Sequence, residues 1–183
     1  METHNRNVPR RWLTYVGALV LFAVGGNIVW ADSGPDTVGY FIAPPGADVS
    51  AASNGDTIQM AGTGTLFIHE KSVAGGGTFT QKSSAGAVIA TGTWTAIDLL
   101  SFDDYGTTPG FPIAGAHGGD ALMRVHLTPN TGGPGVDAIL EVQCILGNPP
   151  PGHDHEGIQL AVQGGGPNFN KIITGSTVFI DLT

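Results

Sequence analysis

The chain has 183 residues with a formal net charge of −8, 12% charged residues, 29 glycines, 12 prolines and one cysteine. Seven Lys and Arg against fifteen Asp and Glu provide no basic cluster to displace counterions from a phosphate backbone, which argues against nucleic acid and anionic membrane as partners. A single cysteine excludes an internal disulfide framework, so packing and hydrogen bonds must hold the fold.

The first segment reads as an address. Arg6, Arg10 and Arg11 precede an uncharged run from Trp12 to Gly26, and Val29-Trp30-Ala31 offers small residues where an export peptidase cuts. Residues 1–31 are therefore expected to form a signal peptide, with a secreted or periplasmic domain, 32–183, and no stable membrane span after cleavage. The 19 uncharged residues Trp12–Trp30 approach the length of a membrane anchor, about 20 residues, but Gly25, Gly26 and Asn27 interrupt them. Arg10-Arg11 matches a twin-arginine signal only loosely. The segment carries a net +2, so the rest of the chain stands at −10.

Beyond it, Gly and Pro punctuate short runs rich in Val, Ile, Thr and aromatics, with no sustained helical period. This predicts strands at Thr37–Ile42, Thr57–Met60, Gly64–His69, Thr78–Gln81, Val88–Ala90, Gly92–Phe102, Ala121–Leu127, Val136–Gly147, Gly157–Gln163 and Lys171–Leu182. Asn54-Gly55, Gly75-Gly76-Gly77, Gly132–Gly135 and Gly164–Pro167 read as turns. None of these clusters ends in Gly-Lys-Ser/Thr, so none reads as a phosphate cradle. Asp103–Gly119 and Asn148–Gly152 are the loops where binding groups are expected. With merging, the runs predict an all-β fold: a single antiparallel β-barrel or barrel-like sandwich of about eight strands. Fourteen aromatics are too few for the paired girdles of an outer-membrane barrel.

Alternation assigns faces. Ala121, Met123, Val125 and Leu127 share one side with Ala138, Leu140, Val142 and Cys144, which makes Cys144 a small buried hydrophobe rather than a reactive thiol. If Leu127 lies opposite Val136, then His126 faces Asp137 and Arg124 falls between Asp137 and Glu141. That polar row is expected on a solvated outer face. It becomes a ligand site if the same face lines a barrel. Tyr105 and Phe111, in the long loop, complete the candidate ligand-binding set of Tyr105, Phe111, Arg124, His126 and Glu141.

The densest chemistry lies in His153-Asp154-His155-Glu156, after three prolines. Two histidines one residue apart point the same way in an extended chain and can reach one metal ion, with Glu156 as ligand or orienting carboxylate. His69, His117 or His126 supplies a third ligand if the fold brings one close. Imidazole suits zinc or copper better than calcium. Gly147, five residues, His153, one residue, His155 resembles the opening of the metal-binding motif of cupin β-barrels. Gly152-His153-Asp154-His155-Glu156-Gly157 is similar to a copper-site segment of copper/zinc superoxide dismutases. The cupin resemblance implies a metal-dependent enzyme. Gln159 and Leu160 stand where the cupin glutamate is expected, no histidine follows His155, and the dismutase cysteines are missing, so the chain is assigned to neither family.

No Gly-x-Ser-x-Gly elbow and no recognisable carboxylate pair for glycoside hydrolysis stand out. The expected function is therefore a non-enzymatic, extracytoplasmic binding or surface-associated protein for a small ligand or a protein partner. The alternatives are a cupin-like metal enzyme using His153 and His155, and a structural subunit that forms homo-oligomers through strand edges.

Overall fold

A computed structural model describes residues 36–43 and 47–182; the expected signal segment, 1–31, lies outside them. Among the described residues there are eleven strands and no helix. They are β1 (Thr37–Ile42), β2 (Asp48–Ala51), β3 (Thr57–Phe67), β4 (Ser72–Lys82), β5 (Val88–Thr107), β6 (Ala116–Pro129), β7 (Val136–Cys144), β8 (Gly157–Val162), β9 (Asn168–Phe169), β10 (Lys171–Thr174) and β11 (Thr177–Asp181). All belong to one antiparallel sheet.

Two strands act as junctions. β3 pairs with β4 along one edge and with β2 and then β1 along the other. β6 pairs with β5 along one edge and with β11 and then β7 along the other. β1 pairs with β11, so neighbours taken in the order β1, β3, β4, β5, β6, β11 return to β1. β9 pairs with β8 and β10 with β2, so the segment around Asn170 links those two strands.

The β6–β7 hairpin has the expected register, Leu127 opposite Val136 and His126 opposite Asp137. The expected apolar faces are buried: Ala121, Met123, Val125, Ala138, Leu140, Val142 and Cys144 all have 0% exposure. Trp94, Tyr40, Phe169, Phe179 and Met60 fill the same core, so the interior is packed with side chains.

Several boundaries depart from the sequence reading. Gly75-Gly76-Gly77 is not a turn but lies inside β4, opposite Gly64, Thr63 and Gly62. The Tyr40 and Trp94 rings, stacked with centroids 6.4 Å apart, lie directly on this glycine seam. A Cβ at Gly62 would stand 2.5 Å from the Trp94 ring, and one at Gly64 2.5 Å from the Tyr40 hydroxyl. The glycines thus make room for two large buried rings. Thr57–Met60 and Gly64–His69 therefore merge into β3, and Val88–Ala90 and Gly92–Phe102 merge into β5.

The break expected at Asp103–Gly119 narrows to residues 108–115, and Lys171–Leu182 divides at Gly175-Ser176. The unforeseen β2 starts at Asp48, a carboxylate of 0% exposure. It is satisfied by the Ala43 and Ser176 backbone amides, each donating at 3.0 Å.

Candidate functional site

The outer faces of β5, β6 and β7 carry a polar row. Asp103 lies opposite Asp120, and Asp120 opposite Gln143, with Glu141 two residues along β7 from Gln143. Near this row β5 has a bulge between Asp104 and Gly106, which leaves Tyr105 without a cross-strand partner and re-aims its side chain.

The loop 145–156 folds back to meet it. The Asn148 amide donates to the Tyr105 carbonyl at 2.7 Å, and the Gly147 amide to the Thr108 hydroxyl at 2.8 Å. Gly147 has φ +75°, and a Cβ there would stand 2.1 Å from the Tyr105 carbonyl oxygen, so the close approach itself requires glycine. The three prolines then stiffen the path to His153.

His153 joins the row through one nitrogen. Its Nδ1 lies 2.9 Å from the Tyr105 hydroxyl, 3.3 Å from Gln143 Nε2 and 3.4 Å from Asp120 Oδ2. Gln143 Nε2 also donates to Glu141 Oε1 at 2.6 Å and to Asp120 Oδ2 at 3.4 Å. Burial, and then the charges of Asp120, Asp103 and Glu141, push the Tyr105 phenol up to about 12. It therefore keeps its proton and is able to donate it to Nδ1, an arrangement that puts the proton of a neutral imidazole on Nε2.

Burial also holds Asp120 and Glu141 above the usual carboxylate range, with Asp120's charge adding to the rise at Glu141; hydrogen bonds from Gln143 oppose both shifts. Asp120 is 14% exposed at its side chain and shares a hydrogen bond with the Glu141 carboxyl, which lowers Asp120 and raises Glu141; its Oδ1 is buried and meets no N–H or hydroxyl donor. Glu141 also borders a recess of about 140 Å³ lined by Leu122, Ile139, Gln159, Asn168 and Asn170. The arrangement offers hydrogen-bond acceptors and amides beside a small apolar surface.

Of the residues singled out from sequence, Tyr105 and Glu141 from the ligand set meet His153 from the metal set. The others stand elsewhere. Arg124 is ion-paired with Asp98 and His126 with Asp137, the latter at 2.7 Å, on the expected outer face. Phe111 sits in the 108–115 loop, 37% exposed.

His69 pairs with Asp36 at 2.6 Å. His117, 2% exposed, pairs with Asp104 at 2.9 Å beside the Phe102 and Phe179 rings. His155 is exposed, 3.5 Å from Asp154, and Glu156 accepts the Thr177 amide at 3.0 Å. Among the described residues no three His, Cys, Asp or Glu side chains are grouped to hold a metal ion. The buried Cys144 thiol is pushed up by burial.

Asp120 escaped the sequence reading, and Asp103 and Gln143 were not among its candidate site residues. The hairpin register that puts His126 opposite Asp137 also puts Asp120 opposite Gln143 when carried to the far end, so the signal was present in the pattern. Comparison of the chain with protein-family models, curated proteins and solved structures finds no match, so the site is read from its own geometry.

Proposed function

We propose that this chain is an exported, non-enzymatic binding protein, a β-barrel with a filled interior that takes a small polar ligand on its outer face. Export is supported by the arginine-led, apolar, small-residue pattern of residues 1–31, which fits a secreted or periplasmic location. The barrel reading is supported by the ring of strand neighbours from β1 through β3, β4, β5, β6 and β11.

The observation that carries the binding reading is the convergence of Tyr105, Asp120, Glu141, Gln143 and His153 on one outer face, beside the recess that Glu141 borders. A ligand that donates hydrogen bonds, such as a polyol or a primary amine, suits this cluster of carboxylate and amide oxygens. The amides of Gln159, Asn168 and Asn170 at the adjoining recess suit the same chemistry.

Saturation-transfer NMR of the full chain with a panel of monosaccharides and short polyamines tests it. Binding of at least one class, weakened in Asp120→Asn and Glu141→Gln variants that melt like the parent, is the expected result. No binder in either class, or binding indifferent to both changes, overturns the reading.

A further inference from the structure

A second surface, on the other side of the junction strands, has different chemistry. Across β3, β1 and β11 the outward residues form rows, with Phe41 opposite Thr63 on one side and Val178 on the other. Beside them the 108–115 loop contributes Ile113. Phe41, Ala61, Ile113, Ser176, Val178 and Ile180 border an open groove of about 560 Å³, within the ~300–1,000 Å³ range of small-molecule sites. Phe41 is 44% exposed and Ile113 45%, large apolar side chains left in water beside the low surface of Ala43 and Ala61.

We infer that this groove binds a neutral, elongated apolar molecule bearing a single hydroxyl or carbonyl group. None of its lining residues is charged. The cations of the described chain are Lys71, Lys82, Arg124 and Lys171, and none borders the groove. A fatty-acid carboxylate or a phosphate head therefore meets no counter-charge, and the −8 chain repels it. Ser176, exposed at one end, offers a hydroxyl to a single neutral polar group.

From Ser176 to Ile180 the strand advances about 14 Å at ~3.4 Å per residue, the scale of a decyl chain. A second copy of the chain is the competing occupant, and the oligomeric state of the Val178→Asp variant separates the two. The site shares no lining residue with the polar recess, so either reading stands or falls alone.

Fluorescence titration of the full chain with the uncharged probe N-phenyl-1-naphthylamine, followed by displacement with 1-decanol or decanoate, tests the inference. The expected result is saturable binding, displaced by decanol at a concentration at least about tenfold below that for decanoate. Val178→Asp, which places a charge in the groove, weakens the probe about tenfold or more, because an unpaired charge against an apolar ligand is costly. Ala61→Leu, which fills the groove without adding charge, does the same and covers the case in which Val178→Asp fails to fold. Ile173→Asp, at an exposed apolar residue outside the groove, leaves binding unchanged.

Any of four results overturns the inference. These are no saturable binding, equal loss in Ile173→Asp, equal competition by decanoate, or a sedimentation dimer that Val178→Asp converts to monomer.

Discussion

The hydrogen bond from the Tyr105 hydroxyl to His153 Nδ1, 2.9 Å long, lends itself to a double-mutant cycle. Tyr105→Phe deletes one oxygen and keeps a ring that is 8% exposed, so the loss belongs to the bond and not to packing. Such a bond contributes about 0.5–1.5 kcal/mol net. The middle of that range places the expected loss near 1 kcal/mol. For a domain of this size that lowers Tm by about 2–4 °C.

His153→Ala costs more, because it also removes the ring edge packed on Tyr105, with centroids 6.0 Å apart, and the contact with Asp120. The cycle is read by urea unfolding followed through tryptophan fluorescence. A coupling of about 0.5–1 kcal/mol is expected between the two sites. Imidazole 15N spectra supply a second readout: the parent holds His153 with its proton on Nε2, and Tyr105→Phe releases the other tautomer. Additive costs together with an unchanged tautomer refute the network.

Burial holds Asp48, Asp120, Glu141 and Glu156 all above the usual carboxylate range. The folded chain then binds protons that the unfolded chain has released, so stability rises as pH falls through the raised values towards the ordinary range, and is lost again as pH climbs. Calorimetry should give a higher Tm at about pH 5 than at about pH 7.5, with a smaller difference in Asp120→Asn/Glu141→Gln; equal or reversed Tm values contradict the assignment. Asp48→Asn replaces one of two accepting oxygens with a donor facing a backbone amide, at an expected cost of about 1–3 kcal/mol by chemical unfolding. A loss below about 0.5 kcal/mol denies the structural role of that carboxylate. Gly77→Ala puts a Cβ 1.9 Å from the Ala61 carbonyl and 2.6 Å from the Gly62 Cα, so soluble yield and Tm should both fall sharply. Parent-like melting rules out the packed glycine seam.

The β6–β7 hairpin was legible because its alternation is unbroken, and burial of one face leaves only one register. The glycine seam was not, because glycine answers two different needs. At Gly132 it supplies a φ of +77°, whereas at Gly62 it clears space for Trp94, and the ring that needs the space comes 32 residues later. β2 was hidden for a similar reason: Asp48 breaks the apolar alternation, and its partners Ala43 and Ser176 include one far along the chain. In the site, Glu141 and His153 stood out as polar residues in suggestive settings, and Tyr105 as an aromatic of the long loop. Their convergence depends on a β-bulge and on a loop returning over the sheet, neither of which has a periodic signature.

The pairing of β1 with β11 ties Val38 to Asp181, nearly the whole described length of the chain. A polypeptide that emerges from its N-terminal side, from a ribosome or through an export pore, cannot make this pairing until the Thr177–Asp181 strand is out. Until then the first strand and the start of β6 lack a neighbour that only the late strand supplies. Completion of the sheet is thus a late step, set by delivery of β11 rather than by the speed of local hairpins. The unfinished chain presents open edges to whatever accompanies it. Its final shape therefore waits on the last strand to be made.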